Sequence, residues 1–214
     1  MNHPMISYWN QAYVNFRVQE NCFFVPQMKD PILSPRFQQT GGDHFNRIQA
    51  LEEPVEEFSG YTVRNNFYLA SFTTRPSKKR DEFLVESLSE ASKRAAYWSL
   101  LDDGFKKDVD FLKGLMTFLP DLSAEFKVGY ILENDIPISC VTIGTTKGEA
   151  VLLSGVVHQN YRNQKYSRKL HELVNNVAHE GGSKQCFFWT HSKKIINYAD
   201  QVHRYLVYTK NKEK

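Results

Sequence analysis

The residues best suited to chemistry lie together in one stretch. Residues 150–157, AVLLSGVV, are apolar nearly throughout and read as a strand buried on both faces. The polar loop HQNYRNQK follows at 158–165. A helix then opens at Tyr166, with Tyr166, Leu170, Leu173, Val174, Val177 and Ala178 on one face. A loop that opens a helix directly after a buried strand aims several free backbone N–H groups at one point, and the helix dipole adds partial positive charge there. Such a place favours a phosphate or pyrophosphate. Arg162, Lys165, Arg168 and Lys169 surround it with formal charge. The loop is not a Walker P-loop, having no glycine and no GK[ST], nor a dinucleotide fingerprint, since GxGxxG is absent. Strand–loop–helix units also serve as plain scaffold, so the spacing alone leaves that reading open.

Other reactive side chains are less suggestive. Cys22, Cys140 and Cys186 are far apart and odd in number, which provides neither a disulfide framework nor metal spacing. Cys186 opens an apolar run and reads as core. His191 and His203 lack metal-ligand partners at usable spacing, so no metal is expected.

The elements that must position this unit follow from periodicity and turn residues. The first sixty residues read as irregular: a short helix fits 10–16, but Pro26, Pro31, Pro35, Gly41 and Gly42 interrupt every later run. A loop so long is usually a lid or binding segment. YTVRNNFYLASFTT at 61–74 reads as strand. Leu84, Leu88, Ala91, Ala95 and Trp98 recur at helical spacing and predict one helix ended by Gly104. Val109, Leu112 and Met116 predict a second, stopping near Pro120. FKVGYILENDIPISCVTIG at 126–144 reads as two strands joined at the turn-forming cluster Glu133-Asn134-Asp135. Gly181-Gly182 ends the helix that opens at Tyr166. CFFWTHS is a further strand, 193–201 a short helix and 204–209 a last strand. The expected fold class is an α/β or α+β domain with a mixed sheet, divided into a 1–60 extension, a 61–125 strand and helical layer, and a 126–214 core.

Composition bounds the rest. In 214 residues, 41% are hydrophobic and 24% charged, the balance of a soluble chain able to bury a core, and 15 Phe, 11 Tyr and 3 Trp argue against disorder. No apolar run approaches the ~18 residues needed to cross a bilayer. The N-terminus has neither the basic start nor the apolar centre of a signal peptide, so no membrane partner and a cytoplasmic location are expected. From Lys147 onward twelve Lys or Arg face five Asp or Glu, against fifteen and nineteen before it. A basic half suggests an anionic partner, either a nucleotide cofactor or a nucleic acid.

The stretch from Val157 to Leu170 resembles the acyl-CoA signature of the GNAT superfamily of N-acyltransferases, approximately V-x-P-x-x-R-G-x-G-[large apolar]-[Gly/Ala/Ser]-x-x-L. The likeness holds at Val157, Tyr161, Arg162, Gln164, Tyr166, Ser167 and Leu170 without a gap. THSKKIINYADQVHRYLVYT resembles the family's N-x-x-A-x-x-x-Y-x-x-x-G-F segment, and VGYILENDIPISCVTIG its second and third strands, so the likeness spans roughly 126–209. Lys165 and Asn163 depart from it where glycine is common, and Val202-His203 replaces Gly-Phe. Fewer residues follow than the family's last two strands need, which implies a shortened sheet end or one completed by the N-terminal segment.

The resemblance implies a mostly antiparallel, twisted mixed sheet flanked by helices, and acetyl-CoA as co-substrate. Pantetheine would pair with backbone groups of Val156 and Val157. The pyrophosphate would sit on N–H groups from Arg162 through Asn163, Gln164, Lys165 and Tyr166 to Ser167, beside Arg168. An acceptor amine would attack the thioester directly in a ternary complex. Tyr198 stands at the frequent general-acid position, and Glu149 and His158, flanking the buried strand, are candidates to relay the amine's proton. Two other classes stay open: a domain that binds CoA or another ligand without transfer, and a nucleic-acid module using the basic half with Tyr161, Tyr166, Phe187, Phe188 and Trp189. The latter is the less expected, because these aromatics fall at core positions.

Overall fold

The computed structural model describes residues 22–25, 47–51, 61–76, 78, 80–105, 125–146, 148–162, 166–190 and 192–211. In chain order these form β1 (Cys22–Val25), β2 (Arg47–Leu51), β3 (Tyr61–Thr73), β4 (Phe83–Ser87), α1 (Leu88–Ala91), α2 (Ala95–Phe105), β5 (Glu125–Glu133), β6 (Ile136–Thr146), β7 (Gly148–Val157), α3 (Tyr166–Glu180), β8 (Ser183–Thr190) and β9 (Gln201–Lys210). Single 3-10 turns lie at Gln159–Tyr161 and Ile196–Tyr198. The chain divides into two units, one of Met1–Ala70 with Trp189–Lys214, the other Ser71–Phe188.

In the first unit the strand order is β1-β2-β9-β3. β1 runs parallel to β2, and β2 antiparallel to β9, with Ile48 opposite Tyr208. The neighbour of β9 thus comes from the N-terminal stretch, in which two short strands stand where the sequence reads as irregular. The expected short helix at 193–201 is only the 3-10 turn Ile196–Tyr198. The predicted helix at 10–16 lies outside the described residues.

The second unit carries the order β8-β7-β6-β5-β4, antiparallel from β4 to β7 and parallel between β7 and β8. This is the expected mixed, mostly antiparallel sheet with flanking helices. β5 and β6 join through Asn134 and Asp135, both at positive φ (51° and 63°) as a two-residue type I′ hairpin requires. α3 covers one face, burying Leu173, Val174, Val177 and Ala178. Gly129 is tight there, since a Cβ would come 2.9 Å from Leu173. α2 covers the opposite face with Tyr97, Leu100 and Leu101. Tyr97 is fully buried, and its hydroxyl meets Thr142 Oγ1 at 2.8 Å, which also accepts from Ser154 Oγ at 2.9 Å. Burial, only partly offset by this bond, raises the phenol's pKa well above its usual range.

Two sequence expectations are corrected. Residues 84–98 are not one helix: Leu84 lies on β4 opposite Tyr130 of β5, Ser87 Oγ caps α1 by accepting from Glu90 N–H, and a turn at 92–94 separates α1 from α2. The i, i+4 spacing of Leu84 and Leu88 was compatible with a helix, but pairing along β5 outweighed propensity. Gly104 does not end α2, which runs to Phe105. Its missing side chain leaves room for Val156, whose methyl carbons would lie 2.5 and 2.6 Å from a Cβ there. The second predicted helix, with Val109, Leu112 and Met116, lies outside the described residues. No helix among the described residues is long and apolar enough to cross a membrane.

Candidate functional site

β7 changes phase part-way along. Thr142 pairs with Ser154 but Ile143 with Leu152, so Leu153 is an extra residue, a β-bulge. Before it Leu152, and after it Gly155, face α3, and a Cβ on Gly155 would lie 3.7 Å from Leu170. Ser154 and Val156 face α2. The register with β8 runs from Gly148 to Leu152. Among the described residues, 153–157 have no β8 partner in that ladder, so one edge of β7 continues without its neighbour.

Which backbone groups that edge presents follows from one bond. His158 N–H donates to Ile138 O at 2.8 Å, toward β6. Antiparallel pairs alternate between bonded and non-bonded. With Ser139 opposite Val157 and Cys140 opposite Val156, Val156 turns its backbone groups into the β6 ladder, and Gly155 and Val157 turn theirs outward. Ser139 Oγ donating to Val156 O at 2.6 Å agrees. Of the two residues expected to pair with pantetheine, Val157 faces the open edge and Val156 does not. Gly155 presents its backbone groups on that edge instead, and a glycine inside a strand was the signal in the sequence for it.

The chain then turns. His158 caps the 3-10 turn, its Nδ1 accepting from Asn160 N–H at 3.3 Å. That bond occupies the Nδ1 lone pair. Arg162 reaches back, its Nε donating to Val157 O at 2.8 Å and its Nη2 to the backbone O and carboxylate Oδ2 of Asp103 at 3.0 and 2.8 Å. Oδ2 also accepts from Gln159 N–H at 2.8 Å. The Arg162 guanidinium is therefore committed to Val157 and Asp103. Asn163, Gln164 and Lys165 lie outside the described residues.

Tyr166 opens α3 and donates to Glu133 Oε1 at 2.9 Å. Tyr161 also bonds to Glu133, and its ring packs edge-on to Tyr166 at 5.7 Å. These bonds to a carboxylate hold both phenols in the neutral form and raise their pKa values. Ser167 and Arg168 follow in the first turn, where N–H groups lack intrahelical acceptors. Two further cations of the four expected around the spot, Arg168 and Lys169, also have acidic partners. Arg168 pairs with Glu172 at 3.4 Å, and Lys169 with Glu82 at 3.0 Å while lying 5.4 Å from the centre of the Tyr166 ring.

Glu149 is buried at the start of β7, opposite Gln185 of β8 and Thr146 of β6. It stands nine residues from His158 along one strand, on the order of 25–30 Å at ~3.3 Å per residue. The structure therefore does not bring the two proposed relay residues together. Tyr198 belongs to the other unit, 40% exposed at the end of its 3-10 turn. Phe187 and Phe188, counted toward a nucleic-acid surface, are 5% and 4% exposed and belong to the core. Cys186 is core as expected, and burial pushes its thiol up to about 12. No group of three His, Cys, Asp or Glu is gathered among the described residues.

Solved structures with this architecture include a GCN5-related N-acetyltransferase from Kribbella flavida, with a TM-score of 0.59 at 12% identity over 86% of this chain and 77% of that one. The architecture is the GNAT fold. Another match is a GCN5-related N-acetyltransferase from Sphaerobacter thermophilus (TM-score 0.55, 12% identity, 87% and 71% covered). A third is a functionally unknown conserved protein from Staphylococcus epidermidis (TM-score 0.54, 14% identity, 89% and 84% covered). No family model matches the sequence, and no curated protein matches it. Within this GNAT fold, the bulged edge of β7 and the start of α3 occupy the stretch that carries the acyl-CoA resemblance.

Proposed function

We propose that this chain is an N-acyltransferase that moves an acetyl group from acetyl-CoA to an amine while both are bound. The observation that carries the reading is the outward edge of β7, which presents Gly155 and Val157 and leads within a few residues to the N–H groups of α3. An extended arm with two amides fits such an edge as a short added strand. Arg162 occupies Val157 O, so the groups left for it are Val157 N–H and both polar groups of Gly155. Tyr166, Ser167 and Arg168 offer N–H groups and the helix dipole to a pyrophosphate, with Asn163, Gln164 and Lys165 completing the loop. Acetyl-CoA bound there supplies an activated thioester carbonyl to the amine nitrogen, and the C–S bond breaks as the new C–N bond forms. The resemblance to the acyl-CoA family assigns Tyr198 as the acid for the departing sulfur, and that assignment rests on sequence alone. The attacking amine is neutral; with His158 engaged in its cap and Glu149 at the far end of β7, the proton its nitrogen sheds on forming the amide passes to water, and the Tyr198 phenolate is reprotonated from water. Holding two substrates in line supplies much of such a rate, and a positioned acid typically ~10²–10⁴.

Calorimetric titration with acetyl-CoA at two salt concentrations tests the donor site. Saturable micromolar binding supports it, and no binding up to millimolar overturns it. A screen of amines that follows CoA thiol release then tests transfer. Tyr198→Phe is expected to lower kcat with little change in acetyl-CoA affinity; unchanged turnover removes Tyr198 from the mechanism. The loop without glycine favours a second reading, a CoA-binding protein without transfer, which predicts tight binding and no thiol release with any amine.

A further inference from the structure

We infer that Asp103 and Glu133 are positioning residues of the donor loop, two carboxylates from separate elements that clamp its two flanks. The inference rests on the acyl-donor reading above and adds to it how the loop is kept in shape.

On the leading flank, Asp103 in the last turn of α2 receives Gln159 N–H and the Arg162 guanidinium on one oxygen, while Arg162 also holds Val157 O and Asp103 O. Three hydrogen bonds to Asp103 thereby tie the 3-10 turn and Arg162 to α2, and a fourth, to Val157 O, joins Arg162 to the end of β7. On the trailing flank, Glu133 receives Tyr166, the first residue of α3, and Tyr161. Glu133 is itself fixed as the last residue of β5, against the hairpin turn at Asn134 and Asp135. Both α2 and the β5–β6 hairpin pack against the sheet strands that end at the loop. Only residues 163–165 separate Arg162 from Tyr166, so both anchored flanks lie close in sequence to the loop they bound. That matters here because the loop contains no glycine, and glycine is the usual means of giving a phosphate-binding turn its shape.

Neither carboxylate would touch the donor; each acts through Arg162, Tyr161 or Tyr166. Their charge works against an anion nearby, since like charges repel. The two effects therefore have opposite signs. If the carboxylates mattered only as charge, neutralising them would tighten acetyl-CoA binding. If they hold geometry, removing them weakens it.

The test uses the full chain and two readouts: amide hydrogen exchange of residues 158–170 without ligand, and acetyl-CoA affinity. Asp103→Ala is expected to speed exchange in that segment tenfold or more, leave β5 and β6 unchanged, and raise Kd at least tenfold with kcat at saturating donor within about twofold. Asp103→Asn keeps an oxygen acceptor and should recover most of both. Arg162→Met combined with Asp103→Ala should be no more than about twofold worse than the poorer single variant, because both break one assembly. Glu133→Ala should speed exchange at the trailing flank, and Glu133→Gln, which keeps an oxygen acceptor for Tyr166, should recover most of it. The inference is overturned by exchange within twofold of the parent, by faster exchange throughout β5 and β6, by additive losses, or by tighter acetyl-CoA binding. Should Asp103→Ala not fold, Arg162→Met and Glu133→Ala carry the same test on the two flanks. Because exchange needs no donor, a parent chain that binds no acetyl-CoA sinks the acyltransferase reading while the clamp is still measured.

Discussion

Arg162 shows how one side chain can look like a ligand contact in sequence and be something else in the fold. Its place in a loop before a helix, among other cations, suggests a phosphate contact. Instead its donors go to Val157 O and to Asp103, a residue 59 positions away that no local pattern could pair with it. His158 is similar: a loop histidine after a buried strand reads as an acid–base group, yet it caps the next turn. Of the two buried cysteines of the second unit, Cys186 is legible from sequence as core. Burial pushes Cys140 and Cys186 each up to about 12, the charged thiolate being penalised away from water. A raised value means neutral thiol below it, leaving roughly one part in ten thousand as thiolate at pH 8. Iodoacetamide at pH 8 followed by peptide mass spectrometry should therefore leave both unlabelled in the native chain and label both in denaturant. Rapid native labelling of either would contradict its burial.

Whole elements were read correctly where the signal was local. β3, the β5–β6 hairpin and α3 each follow from a run of residues with one period and a turn at its end. The Asn134-Asp135 turn needs positive φ at both residues, which these types tolerate best after glycine. The residues near Leu84 misled because spacing of i, i+4 is also available to a strand followed by a capped helix, and only β5 alongside decides between them. Gly104 carries an element-scale prediction. Gly104→Ala places a Cβ 2.5 Å from a Val156 methyl, and overpacking of this kind typically costs about 1–3 kcal/mol. Thermal unfolding should show a lower Tm, which Val156→Ala in the same chain should largely recover. An unchanged Tm in the single variant would mean that α2 does not approach β7 so closely.

Within the second unit two basic residues of the later half pair with acids of the earlier half, Arg162 with Asp103 and Lys169 with Glu82. Phe187 and Phe188 lie in the core, where they offer no stacking surface to a nucleic acid. Fluorescence anisotropy with a labelled single-stranded 20-mer at 150 mM salt should show no saturable binding tighter than about 10 µM, inside the range of non-specific contacts. Tighter binding that falls steeply with salt would revive that reading.

The sequence by itself determined the strand, polar loop and amphipathic helix, the hairpin and the mixed sheet, because each is written in the spacing of neighbouring residues. It also placed the candidate anion site, since a helix opening after a buried strand is a local property. Only the tertiary structure decided which groups that site can offer. The bulge at Leu153 sets whether Val156 or Gly155 faces outward, and a bulge exists only relative to the register of β6. It likewise gave Arg162 and Tyr166 their carboxylate partners. Register and long-range pairing depend on residues tens of positions apart meeting across a sheet, and one-dimensional periodicity does not contain that information.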